Sequence, residues 1–146
     1  MKLKKVHTLE KKADEVWIVS PDLHYDTEND TFKNIVKHNL HKGKRYRYIV
    51  PATSSVSKHI TEYQKDQTIP KDQTNEMFLI LPVSEFNPFL TELAIYNPKS
   101  KTPVACLSVW RDADSDDEVI AIDKEMTRNL ISKFKSLWKK YKRVNP

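Results

Sequence analysis

Cations and tyrosines alternate in one short segment of this chain. Lys44, Arg45 and Arg47 interleave with Tyr46 and Tyr48. Cations can hold phosphates while aromatic rings stack on bases, so the three cations are candidates for nucleic-acid binding. In a strand, however, alternation places the two sets on opposite faces. Tyrosines that face the core, with arginines outside, are the competing interpretation.

A second set of polar residues directly follows two apolar segments. Asp22 and His24 come after residues 16–19, and Thr53 and Ser54 come after residues 45–50. Open α/β sheets bind ligands at the carboxyl ends of their parallel strands. If the two segments are parallel strands, these four residues are predicted to bound one ligand pocket.

An acidic segment has carboxylates at alternating positions. Asp112, Asp114 and Asp116 alternate, and Asp123 stands twelfth from the first of them, as in a calcium-binding EF-hand loop. Asp117 replaces the glycine that the sharp turn of such a loop requires. A solvated acidic loop is therefore the favoured interpretation.

Two histidines and one cysteine complete the candidates for chemistry. His38 and His41 could share a helix face, but spacing identifies no third metal ligand. Cys106 lies in an apolar segment and is expected to be a small buried hydrophobe rather than a nucleophile. We therefore predict no catalytic residue, no metal site and no cofactor.

The composition restricts the functional classes further. Gly43 is the single glycine in 146 residues, far below the usual ~7%. Walker and Rossmann phosphate loops need several glycines, so both are excluded. The net charge of +5 is compatible with nucleic acid or another anionic ligand as partner.

The length predicts one α/β domain over residues 1–146. No apolar run approaches the ~20 residues that span a bilayer, and the amino-terminal segment lacks a signal-peptide pattern. The lone cysteine fits a reducing compartment. We therefore expect a cytoplasmic protein without membrane association.

The periodicity predicts a strand, a helix and a second strand in the first third of the chain. Residues 16–19 form a strand, and a helix begins after a cap at Asp30 or Thr31 and ends at Gly43. Residues 45–50 form the next strand, which gives a right-handed βαβ unit.

The remaining segments extend this sheet. Thr53, Ser54 or Ser55 caps a second helix, and Asp123 caps the last one. The segment 66–75 is predicted to be a loop, and further strands are predicted at residues 77–81, 90–96, 104–110 and 119–122. The expected fold is a mixed, largely parallel sheet with helices on both faces.

This order resembles one half of the phospholipase D-like fold. The residues that carry the resemblance are the VWIVSP segment, the helix that ends in Gly43, Glu118, and the Phe134 and Trp138 pair. The family carries a His-x-Lys-x4-Asp motif on a hairpin, yet none of the five histidines here has a lysine two residues later. On the hairpin, Leu90, Glu92 and Asn97 occupy the motif positions.

The resemblance without its motif implies a non-catalytic binding or sensor module for a ligand, nucleic acid or protein partner. Since the family pairs two halves, it also implies a homodimer. The alternative is a phosphodiesterase or nuclease with an unrecognised site around Asp22, His24 and the acidic loop. A purely structural dimerisation module is a third hypothesis.

Overall fold

Six strands form one sheet in the computed structural model, which describes residues 1–86, 91–108 and 119–146. The strands are β1 (Glu15–Val19), β2 (Arg45–Pro51), β3 (Phe78–Leu81), β4 (Leu93–Tyr96), β5 (Val104–Leu107) and β6 (Ile120–Ala121). The helices are α1 (Leu3–Lys12), α2 (His24–Glu28), α3 (Asp30–His41), α4 (Ser54–Asp66), α5 (Lys71–Met77) and α6 (Lys124–Lys142).

The strand order is β3-β2-β1-β4-β5-β6. Strands β1, β2 and β3 are parallel neighbours, with helices in the connections between them. Strands β4, β5 and β6 pair antiparallel, and β4 also runs antiparallel to β1. The predicted mixed α/β sheet with helices on both faces is confirmed, with its parallel part confined to β1–β3.

The central strands are buried on both faces. Val16 and Ile18 pack toward α1, α3 and α4, whereas Trp17 packs toward α6. On β2, Tyr46 and Tyr48 point to the first of these layers. This double burial explains why β1 is apolar without interruption rather than alternating.

Helix α3 ends where the sequence predicted but begins one residue earlier. Asn29, rather than Asp30 or Thr31, is its cap, since its side chain accepts a hydrogen bond from the Phe32 backbone N–H. Gly43 follows the helix with a φ of 75°. This left-handed conformation favours glycine, so the only glycine is used to end the helix.

The predicted caps of the two other long helices are confirmed. Thr53 Oγ1 accepts from the Val56 N–H at the start of α4, and Asp123 Oδ1 accepts from the Met126 N–H at the start of α6. The Met126 side chain is 50% exposed. Its N–H supports the cap while its side chain stays in solvent.

Two short helices lie outside the elements that the sequence predicted. Helix α5 (Lys71–Met77) begins inside the predicted loop 66–75 and ends two residues after it. Helix α2 (His24–Glu28) lies between β1 and α3. Asp72 in the first turn of α5 suits the positive end of the helix dipole. Met77, the first residue of the predicted strand 77–81, is instead the last residue of α5, and its side chain is buried. Strand β3 begins one residue later.

Strand β4 begins at Leu93 and β5 ends at Leu107, inside the predicted segments 90–96 and 104–110. Leu90, Glu118 and the acidic residues 112–117 lie outside the described residues. No helix in the described ranges is both long enough and apolar enough to cross a membrane.

Aromatic stacking fixes α6 to the sheet, and it generates a stability prediction. Trp17 stacks on Phe134 at 4.6 Å between ring centroids, and Phe134 stacks on Trp138 at 5.6 Å.

Trp138→Ala is expected to lower the free energy of unfolding by about 3–5 kcal/mol, because it empties a buried site. Urea denaturation measures the loss. Lys139→Ala, at an exposed neighbour, should change the free energy by less than about 0.5 kcal/mol. Equal effects of the two substitutions would contradict this packing.

Candidate functional site

The loops that carry the first candidate site meet at one edge of the sheet. Val19 lies opposite Ile49 on parallel β2 and opposite Leu93 on antiparallel β4. The Ser20 N–H also donates to the Ile49 carbonyl at 3.0 Å. The carboxyl ends of β1 and β2 and the start of β4 therefore share this edge. The parallel arrangement of β1 and β2 is the condition under which the sequence predicted one pocket there.

The Asp22 and His24 side chains are engaged in local contacts. Asp22 Oδ1 accepts from the His24 N–H at 2.9 Å, and His24 Nδ1 lies 2.8 Å from Glu28 Oε2. His59, from α4, contacts both the Asp22 carbonyl at 2.6 Å and Glu28 Oε1 at 3.1 Å. Two histidines therefore flank one carboxylate.

The sequence prediction missed Glu28 and His59. The spacing of four between His24 and Glu28 is a local signal that could have identified the first of them. His59 has no local signal, because α4 reaches this edge only through the fold.

Thr53 and Ser54 stand at the start of α4 on the same edge. The Thr53 hydroxyl accepts the capping hydrogen bond from the Val56 N–H, and Ser54 is exposed. The structure thus brings the two loops to one edge, while ligand binding by Asp22, His24, Thr53 and Ser54 remains a prediction.

The cations of the second candidate site separate onto different sides of the sheet. The Lys44 ammonium donates to the Lys11 carbonyl at 2.8 Å, beside α1. Arg45 and Arg47 alternate with buried tyrosines and therefore point to the α6 side, where Arg45 is exposed and Arg47 is half-buried. Tyrosines in the core cannot stack on bases, so this part of the competing interpretation is confirmed.

Lys142 joins the two arginines on that side. Burial lowers the Arg47 pKa, and repulsion from Arg45 adds to this effect. Burial also lowers the Lys142 pKa, again with repulsion from Arg47. Glu15 and Glu76 act in the opposite direction on Arg47. We call Arg45, Arg47 and Lys142 the basic face.

A network of buried carboxyl groups and tyrosines, not predicted from the sequence, lies under the first edge. The Tyr46 hydroxyl donates to Glu10 Oε1 at 3.0 Å and accepts from Asn39 Nδ2 at 2.9 Å. The Tyr48 hydroxyl donates to Asp26 Oδ2 at 2.6 Å. The network connects α1, α2 and α3 to β2.

Burial makes these carboxyl groups weak acids. It raises the pKa of Glu10 well above its usual value, and the Asp26 charge raises it further. Burial raises the pKa of Asp26 to about 6, against the hydrogen bond from Tyr48. The pKa of Glu92 is raised by burial and then by Asp26. These carboxyl groups therefore keep their protons to a higher pH than exposed carboxyl groups do.

A small cavity lies among these groups and holds about 30 Å³. Glu10, Asp26 and Glu92 line it together with Cys106 and Ser108. This volume accommodates a water molecule but no organic ligand. Burial raises the Cys106 pKa to about 12, so the thiol is protonated, and the prediction of a buried cysteine is confirmed.

Within the described ranges, no group of three or more His, Cys, Asp or Glu side chains is arranged to hold a metal ion. The EF-hand-like segment falls mostly outside those ranges. The paired histidines His38 and His41 are exposed at the end of α3.

Comparison with known proteins supports the fold alone. No family model matches this chain, and no curated protein sequence is significantly similar to it. A crystal structure of polyphosphate kinase from Porphyromonas gingivalis is similar in structure, with a TM-score of 0.50 and 11% sequence identity. The similarity covers 97% of this chain but 24% of that one, so this chain spans about a quarter of its length. The match supports the mixed α/β fold that the sequence predicted.

The buried carboxyl network predicts a specific dependence of stability on pH. The folded-state pKa of Asp26 exceeds the unfolded one, so ionisation destabilises the fold increasingly from pH 4 to above pH 6. A shift of two pKa units corresponds to about 3 kcal/mol. Asp26→Asn should therefore raise the free energy of unfolding at pH 7 by about 1–3 kcal/mol and flatten its decline between pH 4 and 6.

Urea denaturation across this pH range measures both effects. Asp14→Asn, at an exposed carboxylate, is the matched control and should leave the profile unchanged. A decline between pH 4 and 6 that persists in Asp26→Asn would show that other groups cause it.

Proposed function

We propose that this chain is a non-catalytic phospholipase D-like module that binds a nucleic acid through its basic face. The observation that carries the proposal is the placement of Arg45 and Arg47 on the side of β2 opposite the buried tyrosines. Lys142 lies near Arg47 on that side, with its ammonium donating to the Asn75 carbonyl, and the carboxylates Glu15 and Glu76 lie near the same arginine. Cations held close together, partly out of water, stabilise an anionic ligand because it relieves their mutual repulsion. The positive net charge of the chain acts in the same direction.

The burial of the β2 tyrosines determines how the basic face would recognise a nucleic acid. Tyr46 and Tyr48 are buried, so they offer no ring to a base. The three cations therefore contact phosphates, which carry no sequence information. We expect binding that depends strongly on salt and weakly on base sequence.

The opposite edge supports the absence of phosphoryl chemistry. On the hairpin, Glu92 occupies the position where the family resemblance places a catalytic lysine. Glu10 and Asp26 lie in the same cavity as Glu92. Carboxyl groups repel a phosphodiester when they ionise, whereas a lysine attracts it. Glu92 therefore supplies no cation for a transferred phosphoryl group at this position.

The enzyme hypothesis keeps one observation in its favour. His24 and His59 both contact Glu28, and a histidine oriented by a carboxylate is a common general base. A phosphodiesterase or nuclease at this edge would show turnover that His24→Ala or Asp22→Ala abolishes. Such turnover would overturn the non-catalytic proposal.

The basic face generates a binding prediction with a matched control. The triple variant Arg45→Gln, Arg47→Gln, Lys142→Gln should bind a single-stranded oligonucleotide at least tenfold more weakly than the wild type. Each lost phosphate contact should reduce the slope of log affinity against log salt by about 0.7. Fluorescence anisotropy over a salt series measures both quantities.

The control is Lys37→Gln, Lys58→Gln, Lys65→Gln, which removes the same charge from exposed positions on α3 and α4. If both variants lose the same affinity, the binding depends on net charge and not on this face. Circular dichroism should confirm that each variant is folded.

We also propose that the module is a homodimer. Ile80 on β3 and the nearby Val83 are 50% and 55% exposed, and among the described strands β3 pairs only with β2. An uncovered apolar strand edge is a common site of association.

Light scattering should give twice the mass of the chain, and Ile80→Lys should halve that value. A monomeric wild type would contradict the homodimer.

A further inference from the structure

A second basic surface is separate from the basic face. A pocket of about 190 Å³ opens between the β4–β5 turn and the first turns of α6. Its lining residues are Lys101, Thr102, Pro103, Val104, Lys124 and Arg128. A cavity of about 150 Å³ accommodates a benzene-sized molecule, so this one has room for a small anion with its water.

Three cations from two separate segments line this pocket. Lys124 and Arg128 are four residues apart on α6 and therefore share a helix face, where two like charges repel each other. Lys101 adds a third positive charge from the turn. The lining includes no carboxylate, and no ion pair engages any of the three cations within the described part of the chain.

Two acidic residues, Asp123 and Glu125, stand at the start of α6 beside the pocket, and neither belongs to its lining. Asp123 Oδ1 accepts from the Met126 N–H at 2.8 Å, and the Asp123 carbonyl accepts from the Thr127 hydroxyl at 2.7 Å. Its carboxylate therefore serves the end of the helix.

We infer that this pocket binds a phosphate dianion, either inorganic phosphate or the terminal phosphate monoester of a larger molecule. A diester group carries one negative charge, whereas a dianion matches three converging cations more closely. The Arg128 guanidinium can donate two parallel hydrogen bonds to phosphate oxygens, and lysines supply point charges. The Thr102 hydroxyl is a further donor, and Pro103 and Val104 supply an apolar wall.

The pocket is spatially distinct from the basic face. Val104 lies opposite Tyr96, Tyr96 opposite Val16, and Val16 opposite Tyr46, so three strand spacings separate the two regions. At about 4.8 Å per spacing, this is about 15 Å. Phosphate binding in this pocket therefore does not require nucleic-acid binding at the basic face.

Titration of the ¹⁵N-labelled protein with inorganic phosphate tests the pocket, with sodium chloride at matched ionic strength as reference. Saturable shifts are expected at the amides of residues 101–104 and 124–128, with no such shifts in chloride. Lys101→Gln combined with Arg128→Gln should weaken the phosphate affinity at least tenfold. Lys135→Gln combined with Lys139→Gln removes equal charge from exposed positions on α6 and should leave the affinity unchanged.

Two oligonucleotides, with and without a 5′ phosphate, distinguish the two sources. A preference for the phosphorylated end that the pocket variant loses assigns a terminal monoester. Phosphate binding without this preference assigns the free anion. Shifts that chloride reproduces, or that persist in the pocket variant, would overturn the inference. Failure of the basic-face variant to change oligonucleotide affinity would affect only the proposed function.

Discussion

The hydrogen bonds from Tyr46 and Tyr48 to buried carboxyl groups are the interaction on which the helical layer depends. Glu10 comes from α1 and Asp26 from α2, and both are almost fully buried. Water cannot solvate these groups, so the tyrosine hydroxyls and retained protons must satisfy them. Three helices thereby acquire a fixed position on β2 that apolar packing alone would leave less specific.

The two ends of the parallel strands have opposite electrostatic character. Buried carboxyl groups lie beneath the edge where β1 and β2 end, whereas Arg45 lies at the start of β2 and Lys101 in a turn near the same end. The two proposed anion sites therefore lie at the end of the parallel strands opposite the one where open α/β sheets commonly bind ligands.

Local patterns in the sequence predicted the elements but not the network between them. The apolar run of β1, the cap Thr53 and the role of Gly43 each depend on a few adjacent residues, and all three predictions are confirmed. Glu10 gave no comparable signal, because an acidic residue in a charged helix is ordinarily exposed. Its partner Tyr46 is 36 residues away, and only the assembled sheet brings them together.

The buried cysteine has a consequence for the study of motions in this protein. The Cys106 thiol is 3% exposed and its pKa is about 12, so the reactive thiolate is scarce while the cavity is closed. Alkylating reagents can modify it only when the structure around the cavity opens. Cys106 is the single cysteine, so the alkylation rate of the unmodified protein reports this opening directly. The chain thus contains its own kinetic probe of local unfolding.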